Sequence, residues 1–105
     1  MELNVYQKKA METCMPTCEN ISYMLLNLVG EVGEFSSKIA KGIRKGEMEI
    51  TGNALRIDNI RFTGESLERL DESLMAEAGD ICWQLSGLCT VMGWDLEEVA
   101  EYNLK

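Results

Sequence analysis

Two long stretches of the chain repeat apolar residues at steps of three and four, which is the spacing of one helix face. The first stretch begins after Thr17, which we expect to cap the helix, and ends between Gly42 and Gly46. The second begins near Leu67 and ends before Gly93, a residue type that suits a helix C-terminus. The apolar positions of the first stretch are Ile21, Met24, Leu25, Leu28, Val32, Phe35 and Ile39. This pattern predicts two long helices.

Two shorter helices and one break complete the pattern. Residues 4–14 have amphipathic spacing, and Pro16 ends that helix. Asp95-Leu96-Glu97-Glu98 has the form of a capping box, which opens a last short helix. Between residues 46 and 66 the period is lost, and partial alternation around Thr51-Gly52-Asn53 favours a short hairpin or an irregular insert. We therefore predict an all-α fold, a four-helix bundle with two long and two short helices.

Composition narrows the classes of function. The chain has 105 residues, which predicts a single domain over residues 1–105, and its formal net charge is -8. Nucleic acid and anionic membrane surfaces attract positive potential, so neither is expected as a partner. The chain has no histidine, which removes the commonest general base and every metal site built on imidazole. It has neither a membrane-span pattern nor a signal-peptide pattern, so we expect a cytoplasmic protein.

The chain contains four cysteines, Cys14, Cys18, Cys82 and Cys89. Because no export signal precedes them, we expect reduced and partly buried thiols. Neither pair has the Cys-x-x-Cys spacing, and no histidine is present to complete a zinc site. Structural zinc and thiol catalysis are therefore disfavoured.

Each long helix carries two acids three residues apart with a glycine between them, in Glu31-Val32-Gly33-Glu34 and in Glu77-Ala78-Gly79-Asp80. Residues i and i+3 share a helix face, so four carboxylates converge if the two helices pack face to face. Like charges at this spacing repel unless a cation neutralises them. A set of oxygen ligands selects a hard ion, so we expect Mg²⁺, with Mn²⁺ as an alternative. The competing interpretation is that Glu31, Glu34, Glu77 and Asp80 lie on solvated faces.

Lys38 follows Glu34 by one helical turn on the same face. It could contact a phosphate held by the metal, or it could form an ion pair with Glu34. A di-iron oxidase is the other chemistry that paired acids support in helical bundles. That class needs Glu-x-x-His on two helices, so the missing histidine disfavours it.

The order of these motifs resembles the MazG-like superfamily of all-α nucleoside triphosphate pyrophosphohydrolases. The similarity lies in Tyr6-Gln7, Tyr23, residues 28–34, the spacing Glu31-x-x-Glu34-x-x-x-Lys38, residues 77–83 and residues 95–105. The resemblance implies hydrolysis of a nucleoside triphosphate, with a deoxynucleotide favoured, to the monophosphate and pyrophosphate. It implies Mg²⁺ ligation by Glu31, Glu34, Glu77 and Asp80, and nucleotide contacts from Lys38 and Asn103. It also implies a homodimer or a homotetramer.

Catalysis by such a site depends on charge neutralisation and positioning more than on covalent chemistry. As a hypothesis, Glu34 is the catalytic acid that orients or deprotonates water for attack at the α-phosphate. The alternative is a catalytically silent helical dimerisation or adaptor module on the same scaffold.

Overall fold

The computed structural model describes all 105 residues and contains four α-helices and one two-stranded sheet. The helices are α1 (Leu3–Met11), α2 (Ile21–Arg44), α3 (Gly64–Val91) and α4 (Leu96–Asn103), and the strands are β1 (Met48–Thr51) and β2 (Ala54–Ile57). The predicted all-α bundle of two long and two short helices is confirmed. No helix is both long and apolar enough to cross a membrane.

Helix α2 begins three residues later than a Thr17 cap would require. A short 3-10 turn, Pro16–Cys18, lies between α1 and α2 and includes Thr17 itself. The cap is Asn20, whose side-chain oxygen accepts a hydrogen bond of 2.7 Å from the backbone N–H of Tyr23. This bond satisfies one of the free N–H groups at the helix start. The predicted cap at Thr17 is therefore wrong, and Asn20 sets the start of α2.

The same turn brings two cysteines together. Cys14 and Cys18 form a disulfide, with their Cα atoms 6.1 Å apart, a separation that a disulfide can span. Cys82 and Cys89 are free. The expectation of four reduced thiols is wrong for the first pair, because the 3-10 turn folds the chain back over four residues.

A β-hairpin occupies the break between the long helices. Strands β1 and β2 are antiparallel, with Thr51 opposite Ala54 across the turn at Gly52 and Asn53. Gly52 has a φ of +63°, which glycine adopts without steric cost. The hairpin buries Met48 against α2 at Gly42, where a Cβ would overlap the Met48 side chain. The hairpin alternative is confirmed, and it is tied to the C-terminal end of α2.

The two long helices pack against each other in antiparallel directions. Near the start of α2, the fully buried Met24 fills the space beside Gly87 of α3. Near the end of α2, Lys38 contacts Ser73, which lies early in α3. The two contacts run in opposite order along the helices, so the residues midway between them, including Glu31 and Glu77, also face each other.

Helix α1 holds the corner between α3 and α4 through one buried side chain. Gln7 Nε2 donates hydrogen bonds of 3.0 Å to Thr90 Oγ1 and to the Trp94 carbonyl. Gln7 Oε1 accepts a 2.7 Å bond from the Leu96 N–H, at the first turn of α4. Because all three bonds lie in a protected region, Gln7 fixes the position of α4 on the bundle.

One face of α2 remains largely uncovered. Leu25, Val29 and Val32 share this face at positions i, i+4 and i+7, and they are 50%, 69% and 46% exposed. Leu25 and Val32 belong to the apolar pattern that predicts α2. Helix α3 covers only the neighbouring face of α2, on which Met24 lies, so both side chains stay exposed in the single chain.

Replacing Gly87 with Ala tests the helix contact. The new Cβ would overlap the end of the Met24 side chain, which is fully buried and has no free space to enter. We expect the free energy of unfolding to fall by about 1–3 kcal/mol, the usual cost of overpacking. Gly79→Ala on the same helix is the matched control, since nothing lies within 4 Å of a Cβ there and alanine should add about 0.5–1 kcal/mol. Urea unfolding measures both, and equal effects would contradict the proposed packing.

Candidate metal centre

Three carboxylates meet where α2 and α3 face each other. One oxygen from each of Glu31, Glu34 and Glu77 lies within 4.8 Å of the others. Glu31 and Glu34 share a face of α2 because they are three residues apart, and Glu77 approaches from α3. The structure thus brings together three of the four predicted ligands; these three residues are called the acid cluster below.

Two oxygen atoms of the acid cluster have no partner. Glu31 Oε2 and Glu77 Oε2 are buried, and neither accepts a hydrogen bond. A buried carboxylate oxygen without a donor has lost its water and gained nothing in exchange. Carboxylate oxygens are also the ligands that Mg²⁺ and Mn²⁺ prefer in proteins. The donor set therefore fits a hard divalent cation.

The electrostatics of Glu31 agree with this fit. Burial raises the pKa of its carboxyl above the ordinary value, and the negative charges of Glu34, Asp80 and Glu77 raise it further. Each of these effects disfavours the charged form of Glu31. Without a cation, the cluster holds more negative charge than its surroundings neutralise.

Lys38 is the one cation in contact with the acid cluster. Its Nζ donates a hydrogen bond to Ser73 Oγ and lies 3.4 Å from Glu77 Oε1. The ion pair with Glu34 that the sequence spacing allowed is not formed, because Lys38 extends across to α3. Ser73 belongs to none of the predicted motifs; its one signal in the sequence is its position four residues before Glu77.

A family model described as the MazG nucleotide pyrophosphohydrolase domain matches residues 19–105. The chain belongs to the MazG nucleotide pyrophosphohydrolase family. The matched region contains α2, the hairpin, α3 and α4, and so includes the whole acid cluster. The MazG chain is also similar to the Gene 37 protein of Mycobacterium phage L5, with 27% identity over 111 residues that cover 99% of this chain and 83% of that protein. No solved structure matches the chain significantly.

Asp80, the fourth predicted ligand, lies outside the acid cluster. It is exposed, yet its charge reaches Glu31. On α1, burial raises the pKa of Tyr6, and electrostatic interactions with Cys82 and Asp80 raise it further. Asp80 is therefore close to α1 as well as to the cluster.

Asn103, predicted to contact the nucleotide, is exposed and is the last residue of α4. The first turn of α4 is held against α1, where Asn4 Oδ1 accepts a hydrogen bond of 3.2 Å from the Glu97 N–H. Lys38 contacts the acid cluster at Glu77, whereas the nucleotide contact of Asn103 stays a prediction.

The raised pKa of Glu31 predicts a specific pH dependence of stability. Below the ordinary glutamate value of about 4.5, Glu31 is protonated in both the folded and the unfolded chain. As the pH rises from there through the raised pKa, the folded chain must give up a proton that it holds more tightly, so this group costs stability. We expect Glu31→Gln to gain stability relative to the native metal-free chain across that window, as measured by urea unfolding in EDTA.

Glu68→Gln is the control for this measurement, because Glu68 is an exposed acid of the same bundle outside the cluster. Its stability relative to the native chain should stay nearly constant over the same pH range. If the Glu31 and Glu68 variants follow the same pH profile, the electrostatic description of the cluster is wrong.

Proposed function

We propose that this protein hydrolyses a nucleoside triphosphate to the monophosphate and pyrophosphate in a metal-dependent reaction. The observation that carries the proposal is the pair of buried, unpartnered oxygens, Glu31 Oε2 and Glu77 Oε2. Membership of the MazG family supports the reaction class. An adaptor module on the same scaffold would bear the cost of these buried carboxylates with no cation to offset it.

Mg²⁺, or Mn²⁺ in its place, would be held by Glu31, Glu34 and Glu77, with Asp80 as a further ligand. When bound, the ion would neutralise the triphosphate and the departing pyrophosphate. The chain itself contributes one partly exposed cation at this point, because Lys38 Nζ is 3.4 Å from Glu77 Oε1 and its side chain is 37% exposed. A phosphate oxygen is a natural acceptor for that ammonium.

Glu34 is the proposed general base. It is the one exposed member of the acid cluster, so water reaches its carboxylate, whereas Glu31 and Glu77 are partly buried. A carboxylate within hydrogen-bond reach of a water molecule can orient it or accept its proton. Asn103 stays a proposed nucleotide contact on the family resemblance alone, since no contact in the single chain joins it to the cluster.

The first test is pyrophosphate release from a panel of deoxyribonucleoside and ribonucleoside triphosphates with Mg²⁺. We expect activity on at least one nucleotide, with deoxynucleotides favoured, and loss of about 10²–10⁴-fold in turnover for Glu34→Gln, the usual contribution of a general base. Helix content by circular dichroism should be unchanged. Glu68→Gln is the matched control and should keep native turnover.

Two outcomes would count against the proposal, one against the role of Glu34 and one against enzymatic activity. Near-native pyrophosphate release by Glu34→Gln would remove that residue from the mechanism. No release from any nucleotide, together with no Mg²⁺-dependent increase in the unfolding temperature, would favour the silent adaptor instead.

We also propose that the protein is a homo-oligomer, and specifically that a second copy covers the exposed face of α2. Leu25, Val29 and Val32 form a contiguous apolar surface, and such surfaces on water-soluble chains usually mark contacts. A two-fold contact would place this face against itself, and each apolar Å² buried contributes about 25 cal/mol. No atom lies within 4 Å of a Cβ built on Gly30 or Gly33, so a partner has room to approach.

Val29→Glu tests the contact. A charge at the centre of the face should reduce the mass in solution to that of a single chain, because the charge would lose its water in the contact. Light scattering coupled to size exclusion measures the mass. Ile60→Glu changes an equally apolar side chain that is 87% exposed in a loop, and it should leave the mass unchanged. An unchanged mass for Val29→Glu would place the contact elsewhere.

A further inference from the structure

The ion pair of Lys38 and Glu77 is the only one that joins the two long helices. Both partners of the Lys38 ammonium lie on α3, one turn apart: the hydroxyl of Ser73 and the carboxylate of Glu77. Glu77 Oε1 faces this ammonium, and Glu77 Oε2 is buried without a partner. The Glu77 carboxylate therefore belongs to the acid cluster and also contacts a resident cation.

We propose that Lys38 is the internal counter-ion of the metal-free acid cluster, and that Ser73 is a positioning residue that draws Lys38 away from Glu77 when a divalent cation binds. The inference rests on the proposed function, since it assumes that the acid cluster holds a metal. It assigns a role to Ser73, which neither the motif spacing nor the catalytic hypothesis includes.

The competition follows from charge. The ammonium of Lys38 and a divalent ion are both attracted to Glu77, and each repels the other at this distance. The metal binds more easily if the ammonium keeps a second acceptor when it loses its contact with Glu77. Ser73 Oγ is such an acceptor, because a hydroxyl oxygen takes a hydrogen bond without attracting the ammonium as strongly as a carboxylate does.

The exchange also prepares Lys38 for an anion. An ammonium has three N–H donors, of which Ser73 uses one and Glu77 a second. When a metal ion binds Glu77, the N–H group that Lys38 donated to Glu77 becomes free, while Ser73 still holds the Lys38 side chain at the site. Lys38 then offers two donors to a phosphate oxygen, so metal binding and triphosphate binding assist each other.

Loss of the hydroxyl should have the opposite effect. In a Ser73→Ala chain, Glu77 is the remaining acceptor beside Lys38, so the ammonium competes harder with the metal. In a Lys38→Met chain there is no ammonium to position, so the same alanine substitution should change nothing. The two substitutions are therefore expected to be coupled, and a double-mutant cycle measures the coupling.

The experiment measures Mn²⁺ binding to the full, nucleotide-free chain by electron paramagnetic resonance. We expect Ser73→Ala to weaken Mn²⁺ binding about two- to five-fold, which corresponds to the strength of a partly exposed ion pair. Lys38→Met should strengthen binding, and the alanine effect should disappear in the double variant. Ser73→Thr keeps the hydroxyl and should restore native affinity.

Lys41→Met is the charge control, because Lys41 is an exposed cation one turn further along α2. It removes the same charge without the contact to Glu77, so it should strengthen Mn²⁺ binding less than Lys38→Met does. A second readout is the kinetic split: with saturating Mg²⁺, Ser73→Ala should raise KM for the nucleotide more than it lowers kcat.

The outcomes separate this inference from the proposed function. Native Mn²⁺ affinity in Ser73→Ala, or an alanine effect that persists in the Lys38→Met background, overturns the role of Ser73 and leaves the enzyme intact. If the native chain binds no Mn²⁺, or if Glu77→Gln binds it as well as the native chain does, the acid cluster is not a metal site. Both the role of Ser73 and the proposed metal-dependent hydrolysis are then wrong.

Discussion

The antiparallel contact of α2 and α3 determines the rest of the structure. It is close where Gly87 has no side chain and Met24 fills the space. The same register, continued along the two helices, brings Glu31 and Glu77 face to face. Hydrophobic packing at one end of the contact therefore imposes the proximity of like charges further along, and the favourable packing offsets the electrostatic cost.

The acid cluster lowers the free energy of unfolding of the chain. Buried carboxylate oxygens without donors, Glu31 Oε2 and Glu77 Oε2, cost free energy, and the one lysine that contacts the cluster, at Glu77, neutralises only part of its charge. Such local violations of the rules that stabilise a fold are expected at functional sites, since a preformed ligand set must exist before its cation arrives. The Asn20 cap of α2, the Asp95 capping motif of α4 and the Gln7 bonds at the corner offset part of this cost.

Most of the secondary structure was readable from local signals. The four helices were predicted well because their signals act within a few residues: the spacing of apolar residues, the glycine at position 93 and the Asp95 capping motif. Gly93 has a φ of +76°, a conformation that suits a helix C-terminus. The Asn20 cap and the Cys14–Cys18 pairing were not predicted. Both depend on the 3-10 turn after Pro16, whose conformation the spacing of apolar residues does not encode.

The sequence by itself determined which residues could act: two acid pairs at helical spacing, one lysine a turn later, and no histidine. Only the tertiary structure decided which of them meet. It joined Lys38 to Glu77, added Ser73, and left Asp80 outside the acid cluster. The physical reason is that periodicity fixes the face of a helix on which a side chain lies, whereas the register between two helices depends on packing between residues distant in the chain.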